Sequence, residues 1–295
     1  MALRTALRDG LIRTAATFRL DEVALHRQRA RLPQTGPQVL VVEMHETLRA
    51  DAGRLRRQLE WVSERFTLLT PETFFELWGR SSADPVWSKP GVLFTFDDGR
   101  ESNYAVAAPL LEEMGARGLF FVVPDFIGLR GSEARDFYYS RIDIRGLPQA
   151  PDEEVWTPMN PEQLHNLARR GHSIGSHTLS HTNLAGLAPL DLQPQIESSA
   201  EKIRSWTQKD VAAFAWTYAW NAITREAWEL IRMHYCFCFS PCPGTTCPRS
   251  DSPGLIWRTE IEAYYSEPRY RFMYAGMVNS FWAGKRERLR KMLKR

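Results

Sequence analysis

Apolar runs of strand length alternate with amphipathic stretches of helix length along the middle of the chain. The segments 38–44, 91–96 and 118–123 are nearly continuous in apolar and β-favouring residues, which predicts buried strands. Between them, 51–66 and 103–116 space their apolar residues three or four apart, as amphipathic helices do. This β, α, β, α order predicts a parallel sheet or a barrel with helices outside.

Capping residues mark where several helices begin. Thr70 followed by Pro71 predicts a helix over 71–78, and Asn160 followed by Pro161 predicts one that Gly171 terminates. The pattern further predicts strands at 66–70, 212–218 and 235–240 and helices at 192–207 and 224–234.

The segment 126–160 interrupts this regular order. It is rich in glycine, proline and charged residues, with Phe137, Tyr138 and Tyr139 in its middle. Long irregular insertions in regular domains are usually functional. We therefore expect a loop that lies over the active-site face.

Both ends of the chain are basic and amphipathic. Their apolar positions are Leu3, Leu7, Leu11, Ala15 and Phe18 at the start and Trp282, Leu289, Met292 and Leu293 at the end. Such helices usually cover the apolar surface of their own domain, which is the favoured interpretation, although basic amphipathic helices also bind anionic membrane surfaces. We expect an amphipathic arm over 1–37, a single domain over 38–276 and a basic helix over 277–295.

Composition narrows the function only slightly. The 295 residues are 43% hydrophobic with a net charge of +3, which is typical of a soluble globular protein and gives no reason to expect a nucleic-acid partner. No apolar block suits a signal peptide or a membrane span, so the expected location is the cytoplasm, with peripheral contact at the inner membrane face through the terminal helices. The four cysteines, all within 236–247, lack the paired spacing of a zinc knuckle, and we expect inert packing and loop roles, with a metal or disulfide role as the alternative. These cysteines are Cys236, Cys238, Cys242 and Cys247.

The strand at 91–96 ends in two adjacent carboxylates, Asp97 and Asp98, followed by Gly99. Adjacent like charges raise each other's pKa unless a cation or a hydrogen-bond donor compensates them. His177 and His181 stand four apart, a spacing that would place both imidazoles on one side of a helical turn as ligands of one metal ion. Two histidines and one carboxylate leave coordination positions open, as a hydrolytic site requires.

The two motifs, "FTFDDG" at 94–99 and "LARRGHSIGSHTLSH" at 167–181, resemble the first two motifs of the polysaccharide deacetylase family, carbohydrate esterase family four. The resemblance extends from about Val39 to Gly276. "FAWTYA" looks like the family's third motif, and "IWRTEIE" like a late strand that carries an arginine.

The resemblance implies a distorted (β/α) barrel of about seven strands, an α/β fold related to the eight-stranded barrel. It implies that Asp98, His177 and His181 bind a metal, Zn²⁺ or another divalent ion such as Co²⁺ or Ni²⁺. It further implies that Asp97 is the general base toward a metal-bound water. Neighbouring strand residues point to opposite sides, which agrees with this division between the two carboxylates.

The third motif implies that the backbone N–H of Tyr218 stabilises the oxyanion. The aromatic residues around it, Trp216 and Trp220, either pack at a strand end or stack on sugar rings.

Two departures from the family pattern concern the proton-transfer groups. Ala215 and Thr217 stand where many members have arginine and proline, so Arg258 is the candidate cation beside Asp97, with a surface salt bridge as the alternative. No histidine follows His234, although the family's last motif normally supplies one as general acid. His45, just past the first strand, is the expected substitute because the barrel would place it on the same face as Asp97.

These residues predict a metal-dependent hydrolase acting on C–N bonds other than peptide bonds. Its expected reaction removes acetyl groups from N-acetylated sugars, N-acetylglucosamine among them, in a polysaccharide, an oligosaccharide or a lipid-linked saccharide. One alternative is an O-acetyl esterase or a non-sugar amide hydrolase of the same fold. Another is an inert protein that binds metal and carbohydrate.

Overall fold

Seven parallel strands close into a barrel, with helices around its outside. The structure is a computed structural model of the 295-residue chain, and it describes residues 10–12, 14–79, 87–143 and 152–294. The strands are β1 (Val39–Met44), β2 (Thr67–Leu68), β3 (Gly91–Phe96), β4 (Leu119–Val122), β5 (Ser173–Ser176), β6 (Ala213–Ala215), β7 (Phe237–Ser240) and β8 (Ile256–Glu260).

Strand β1 closes the barrel because it pairs with both β3 and β8. The other neighbours follow chain order from β3 to β8, all in parallel. The two-residue β2 pairs with the first two residues of β3, outside the closed barrel. The prediction of a distorted barrel of about seven strands is therefore confirmed.

The helices include every one that the apolar periodicity and the capping residues predict within 38–276, whereas those at 131–137 and 267–274 were not predicted. They are α1 (Leu20–Thr35), α2 (Ala52–Arg65), α3 (Pro71–Glu76), α4 (Ala108–Glu113), α5 (Gly131–Phe137), α6 (Pro161–Arg169), α7 (Pro189–Thr207), α8 (Arg225–His234), α9 (Glu267–Tyr274) and α10 (Asn279–Lys294). Thr70 and Asn160 each cap their helix through a reciprocal capping box, as their sequence context predicts.

The barrel interior changes from apolar to polar along each strand. Alternate side chains point inward, so Val39 and Val41 precede Glu43 on β1, while Leu93 and Thr95 precede Asp97 on β3. The lower interior is a closed apolar cluster in which Phe74 of α3 packs against Phe239. Polar inward positions therefore collect at the carboxyl ends of the strands.

The intervening strand residues, such as Phe94 and Phe120, pack outward against the helices. This second cluster also includes Leu289 and Leu293 of α10, together with Leu25 and Leu32 of α1. The described parts of both terminal segments thus bury part of their apolar surface on the domain. Among the described residues, no helix combines the length and the apolarity needed to span a membrane.

The expectation of one irregular loop over 126–160 is only partly right. Helix α5 and a wide turn at Tyr138–Ile142 lie within it, since Ala134 and Tyr138, four apart, bury against Phe126. Residues 144–151 of this segment lie outside the described part of the chain.

All four cysteines are free thiols. Cys238 and Cys242 are buried, and burial raises the pKa of Cys238 to about 12 and that of Cys242 to about 11. No cysteine belongs to a metal-competent group within the described residues.

Candidate active site

A cavity of about 910 Å³ opens at the carboxyl ends of the strands. The predicted site residues that line it are His45, Asp97, Asp98, His177, His181, Trp216 and Tyr218. Arg258 is fully buried behind them, and Trp220 is not among the lining residues. Parallel strands that end together bring residues more than a hundred positions apart into one site.

Asp97 lies at the inward position that follows Thr95, and Arg258 of β8 faces it across the interior. The Arg258 Nη1 donates to Asp97 Oδ1 at 2.7 Å, and the Nη2 lies 3.5 Å from Glu43 Oε1. Burial raises the pKa of Asp97, but the charges of Arg258 and His177 and the hydrogen bond from Arg258 outweigh it and lower that pKa below its ordinary value of 3.8. Asp97 is therefore ionised at neutral pH, and the structure supplies the cation that the altered third motif lacks.

Asp98 turns away from the strand in a left-handed backbone conformation, with φ at 73°. Its Oδ1 lies 3.7 Å from His181 Nε2 and 3.9 Å from His177 Nε2. Its Oδ2 accepts hydrogen bonds from Arg100 at 3.2 and 3.4 Å. We call Asp98, His177 and His181 the ligand cluster.

The ligand cluster fits a divalent metal ion. The buried Asp98 Oδ1 has no hydrogen-bond partner among the described residues, although buried acceptors are normally paired. The Nδ1 atoms of His177 and His181 lie 3.0 Å and 2.7 Å from the carbonyls of Ala215 and Arg141, which fixes the tautomer that leaves Nε2 free as a ligand. Burial lowers the pKa of His177 to about 4 and also lowers that of His181, so both rings are neutral at pH 7.

The two histidines do not share a helical turn, and that prediction is wrong. The segment after β5 is a loop in which Thr178 and His181 both have positive φ, 63° and 53°. Gln195 of α7 accepts from the N–H groups of Leu179 and Ser180, which replaces the hydrogen bonds of a helix. The loop nevertheless places the two rings 5.2 Å apart.

His45 stands beside Asp97 in a second cluster of acidic and basic groups. Its Nδ1 lies 2.8 Å from Glu262 Oε1, and its Nε2 lies 3.7 Å from Glu43 Oε1. Burial would lower the pKa of His45, but the hydrogen bond and charge of Glu262 raise it well above 6.5. Burial raises the pKa of Glu43 to about 7, against the opposing charge of Arg258. We call His45, Glu43, Asp97, Arg258 and Glu262 the proton cluster.

The three aromatic candidates lie in different environments. Tyr218 is half-buried on the cavity wall, and its hydroxyl donates to the carbonyls of His181 at 3.0 Å and Arg141 at 3.2 Å. Its backbone N–H has no acceptor among the described residues. Trp216 is only 1% exposed, so little of its ring faces the cavity.

Trp220 lies apart from these groups, in a short turn at Trp220–Ala222, and packs against the outer core. Lys285 lies 5.7 Å from the centre of its ring. The structure does not bring Trp220 to the site.

Three charged residues of the site, Glu43, Glu262 and Arg100, are not among the candidates predicted from the sequence. Glu262 accepts from the backbone N–H groups of His45 and Glu46 as well as contacting the ring of His45. Arg100 is buried between Asp98 and the ring of Tyr138, 4.8 Å from the ring centre. The alternation of Arg258 and Glu260 on β8 with Glu262 just beyond it was the available signal for Glu262, and proximity to the Asp pair was that for Arg100.

The family comparison agrees with this geometry. Residues 86–235, about half of the chain, match the model of the family described as polysaccharide deacetylase. The chain is 27% identical over 154 residues to the Bacillus subtilis (strain 168) protein YxkH, itself provisionally named a polysaccharide deacetylase. That match covers 52% of this chain and 45% of YxkH, so the chain spans less than half the length of this relative.

Solved structures share the fold at low sequence identity. The deacetylase domain of BpsB from Bordetella bronchiseptica matches with a TM-score of 0.60 at 18% identity, covering 77% of this chain and 97% of that one. IcaB from Ammonifex degensii also matches with a TM-score of 0.60 at 18% identity, covering 82% and 98%. At these identities the matches show the common barrel.

Proposed function

Because this chain belongs to the polysaccharide deacetylase family, we propose that it is a metal-dependent hydrolase that removes acetyl groups from an N-acetylated saccharide. The observation that carries this proposal is the meeting, in one cavity, of a ligand cluster whose two histidines are neutral and an ionised Asp97. The residues expected to hold the metal are Asp98, His177 and His181. A bound divalent cation such as Zn²⁺ supplies Lewis-acid chemistry, lowering the pKa of a coordinated water and polarising a carbonyl.

Asp97 is the proposed general base. It is ionised, and Arg258 holds it by one short hydrogen bond that leaves its Oδ2 directed toward the ligand cluster, 3.7 Å from His177 Nε2. A water between these groups would give its proton to Asp97 as its oxygen bonds to the acetyl carbon. The free N–H of Tyr218 is the proposed donor to the carbonyl oxygen, on which negative charge develops.

His45 is the proposed general acid. Its raised pKa keeps the ring protonated at neutral pH, as a proton donor requires. When the C–N bond breaks, the Nε2 proton passes to the departing amine while Glu262 stabilises the ring through Nδ1. Acetic acid and a free amino sugar leave, and the acid ionises to acetate in solvent, which also returns the proton to His45 and removes the one on Asp97.

The test is acetate release by the purified chain loaded with zinc or cobalt. N-acetylglucosamine oligomers are the first substrates, and a generic acetyl ester tests the esterase alternative. Asp97→Asn is expected to lower the rate by about 10³-fold, within the range for loss of a general base, with metal content unchanged. Asp210→Asn is the matched control because that carboxylate is fully exposed, and it should leave the rate as it is.

Two results would count against the proposal. Equal rates for the wild type and Asp97→Asn would remove Asp97 as the base. Saccharide binding without acetate release from any substrate would favour the inert binding protein instead.

A further inference from the structure

The cavity has two unlike halves. Around the proton and ligand clusters its wall is charged. On the other side the wall is formed by α9 and the two terminal segments, through Leu11, Ile12, Phe272, Met273, Phe281 and Trp282. One continuous space of about 910 Å³ joins them, at the upper end of the ~300–1,000 Å³ typical of small-molecule pockets.

Helical spacing directs the apolar half toward the cavity. Arg269, Phe272 and Met273 are at positions i, i+3 and i+4 along α9 and line the space together. Val278, Phe281 and Trp282 repeat that spacing where α10 begins, so two successive helices present one face each to the same space.

This apolar wall remains partly open to water. Phe281 is 68% exposed and Leu11 is 56% exposed, although both line the cavity. Apart from the Trp282 indole, the six residues of the wall carry no hydrogen-bonding side chain. A further stretch of polar glycan would find few partners there, whereas a hydrocarbon chain would remove the wall from water.

Cations stand at the border of this wall. The Arg269 guanidinium stacks 3.5 Å over the Tyr265 ring, and the Lys285 ammonium lies 3.7 Å over that of Trp282. Neither has a carboxylate partner among the described residues, in contrast to Arg271 and Arg290 on the same two helices, which pair with Asp21 and Asp251.

We propose that the cavity binds an acetylated saccharide joined through a phosphate to a lipid chain. The sugar lies at the two clusters, the phosphate meets Arg269, and the lipid chain covers the apolar wall. This inference rests on the proposed function and names the substrate class of the same site. Arginine suits the middle position because its guanidinium binds phosphate oxygens through paired hydrogen bonds.

Calorimetry on the full chain, stripped of metal by chelation and dialysis, tests the inference without turnover. The probes are farnesyl phosphate below its micelle concentration, farnesol and inorganic phosphate. Farnesyl phosphate is expected to bind at least about tenfold more tightly than either fragment, since it meets both the cation and the apolar wall.

Two variants separate the contributions. Arg269→Ala should weaken the binding of farnesyl phosphate about tenfold and leave the affinity for farnesol unchanged. Arg269→Lys should restore part of the lost affinity. Phe281→Ser should weaken both prenyl compounds about fivefold, through the lost apolar contact area. Leu190→Ser is the matched control, because Leu190 is 85% exposed and lies outside the cavity lining.

Three outcomes would overturn the inference. The first is equal affinity for all three probes, and the second is farnesyl phosphate binding that neither variant changes. The third is a Phe281→Ser variant that loses sedimentation with phosphatidylglycerol vesicles but keeps its farnesyl phosphate affinity, which would make the wall a membrane contact. Failure of the proposed function is distinguishable, because acetate release from N-acetylglucosamine oligomers would then be missing whatever the calorimetry shows.

Discussion

The ligand cluster and the proton cluster lie side by side at the same end of the barrel, and each brings histidine and carboxylate atoms within 4.8 Å of one another. Their histidines nevertheless differ in protonation state. Burial keeps His177 and His181 neutral, while Glu262 keeps His45 protonated. In the ligand cluster one oxygen of Asp98 has no hydrogen-bond partner among the described residues, whereas in the proton cluster Arg258 donates to Asp97 and forms an ion pair with Glu43.

The difference shows that residue types alone do not define a metal site. Glu43, His45 and Asp97 have the composition of a ligand set, yet Arg258 already donates to Asp97 Oδ1 at 2.7 Å, and the protonated ring of His45 has no free lone pair for a metal ion. The neighbours of each group decide which cluster binds a metal and which transfers protons.

The largest expected effect separates the two histidine types directly. His177→Ala should lose activity and more than about 100-fold in zinc affinity. Removing a residue that only hydrogen-bonds to a metal ligand costs about 10–100-fold, and here the ligand itself is removed. His45→Ala should retain zinc and lose rate. Zinc content after dialysis and the rate of acetate release measure both, and zinc loss in His45→Ala would break the distinction.

A second variant tests the charge that keeps metal out of the proton cluster. Arg258→Met should leave Asp97 and Glu43 buried without a cation, at a cost of about 3–5 kcal/mol in the free energy of unfolding. The pKa of Asp97 should rise, so the acid limb of the rate profile should move to higher pH. Urea unfolding at pH 7 and a pH–rate profile check this, with Arg258→Lys as the variant that keeps the charge.

The sign follows from the lowered pKa of Asp97. The stabilising contribution of Asp97 is present at pH values above its pKa in the unfolded chain, and it is lost as the pH falls through its pKa in the folded protein. Loss of Arg258 removes that contribution. An unchanged acid limb in Arg258→Met would show that another group sets the ionisation of Asp97.

The smallest expected effect concerns Glu262. Glu262→Gln retains a hydrogen-bonding group beside His45 but removes the charge that raises the pKa of the ring, so the alkaline limb should move to lower pH. Below the limb the rate should fall no more than about tenfold, the loss of one charge-assisted contact. The pair of His45 and Glu262 stabilises the fold fully at pH values below the pKa of His45 in the unfolded chain, and less at higher pH. The difference in the free energy of unfolding between Glu262→Gln and the wild type should therefore shrink as pH rises.

Glu229→Gln is the control for this prediction, because Glu229 forms an exposed pair with Arg225. Its pH–rate profile should match that of the wild type. An alkaline limb that Glu262→Gln leaves in place would mean that His45 does not set it.

The continuous apolar runs and the helix caps are local signals, and they predicted a parallel sheet or a barrel with helices outside. The resemblance to the family selected the barrel. The resemblance of the two motifs pointed to Asp97, Asp98, His177 and His181, and the departures from the family pattern pointed to Arg258 and His45. Long-range partners were harder to foresee. Glu262 contacts His45 across 217 positions, and no local pattern encodes that meeting.

The errors have a similar cause. The four-residue spacing of His177 and His181 suggested a helix, but hydrogen bonds from a distant helix, through Gln195, hold a loop instead. Trp220 stands two positions from Tyr218, yet the chain turns there and carries it to the outer core.

The carbonyl of Arg141 belongs to the 126–160 segment, and both His181 and the Tyr218 hydroxyl contact it. Tyr138 and Ile142, on the same turn, line the cavity. A substrate that shifts this turn would therefore also shift the His181 ring, and a cation that fixes the ring would fix the turn. By linkage, substrate and cation must change each other's affinity by the same factor. Zinc titrations with and without saccharide therefore measure the coupling free energy between the two ligands, which this turn would transmit.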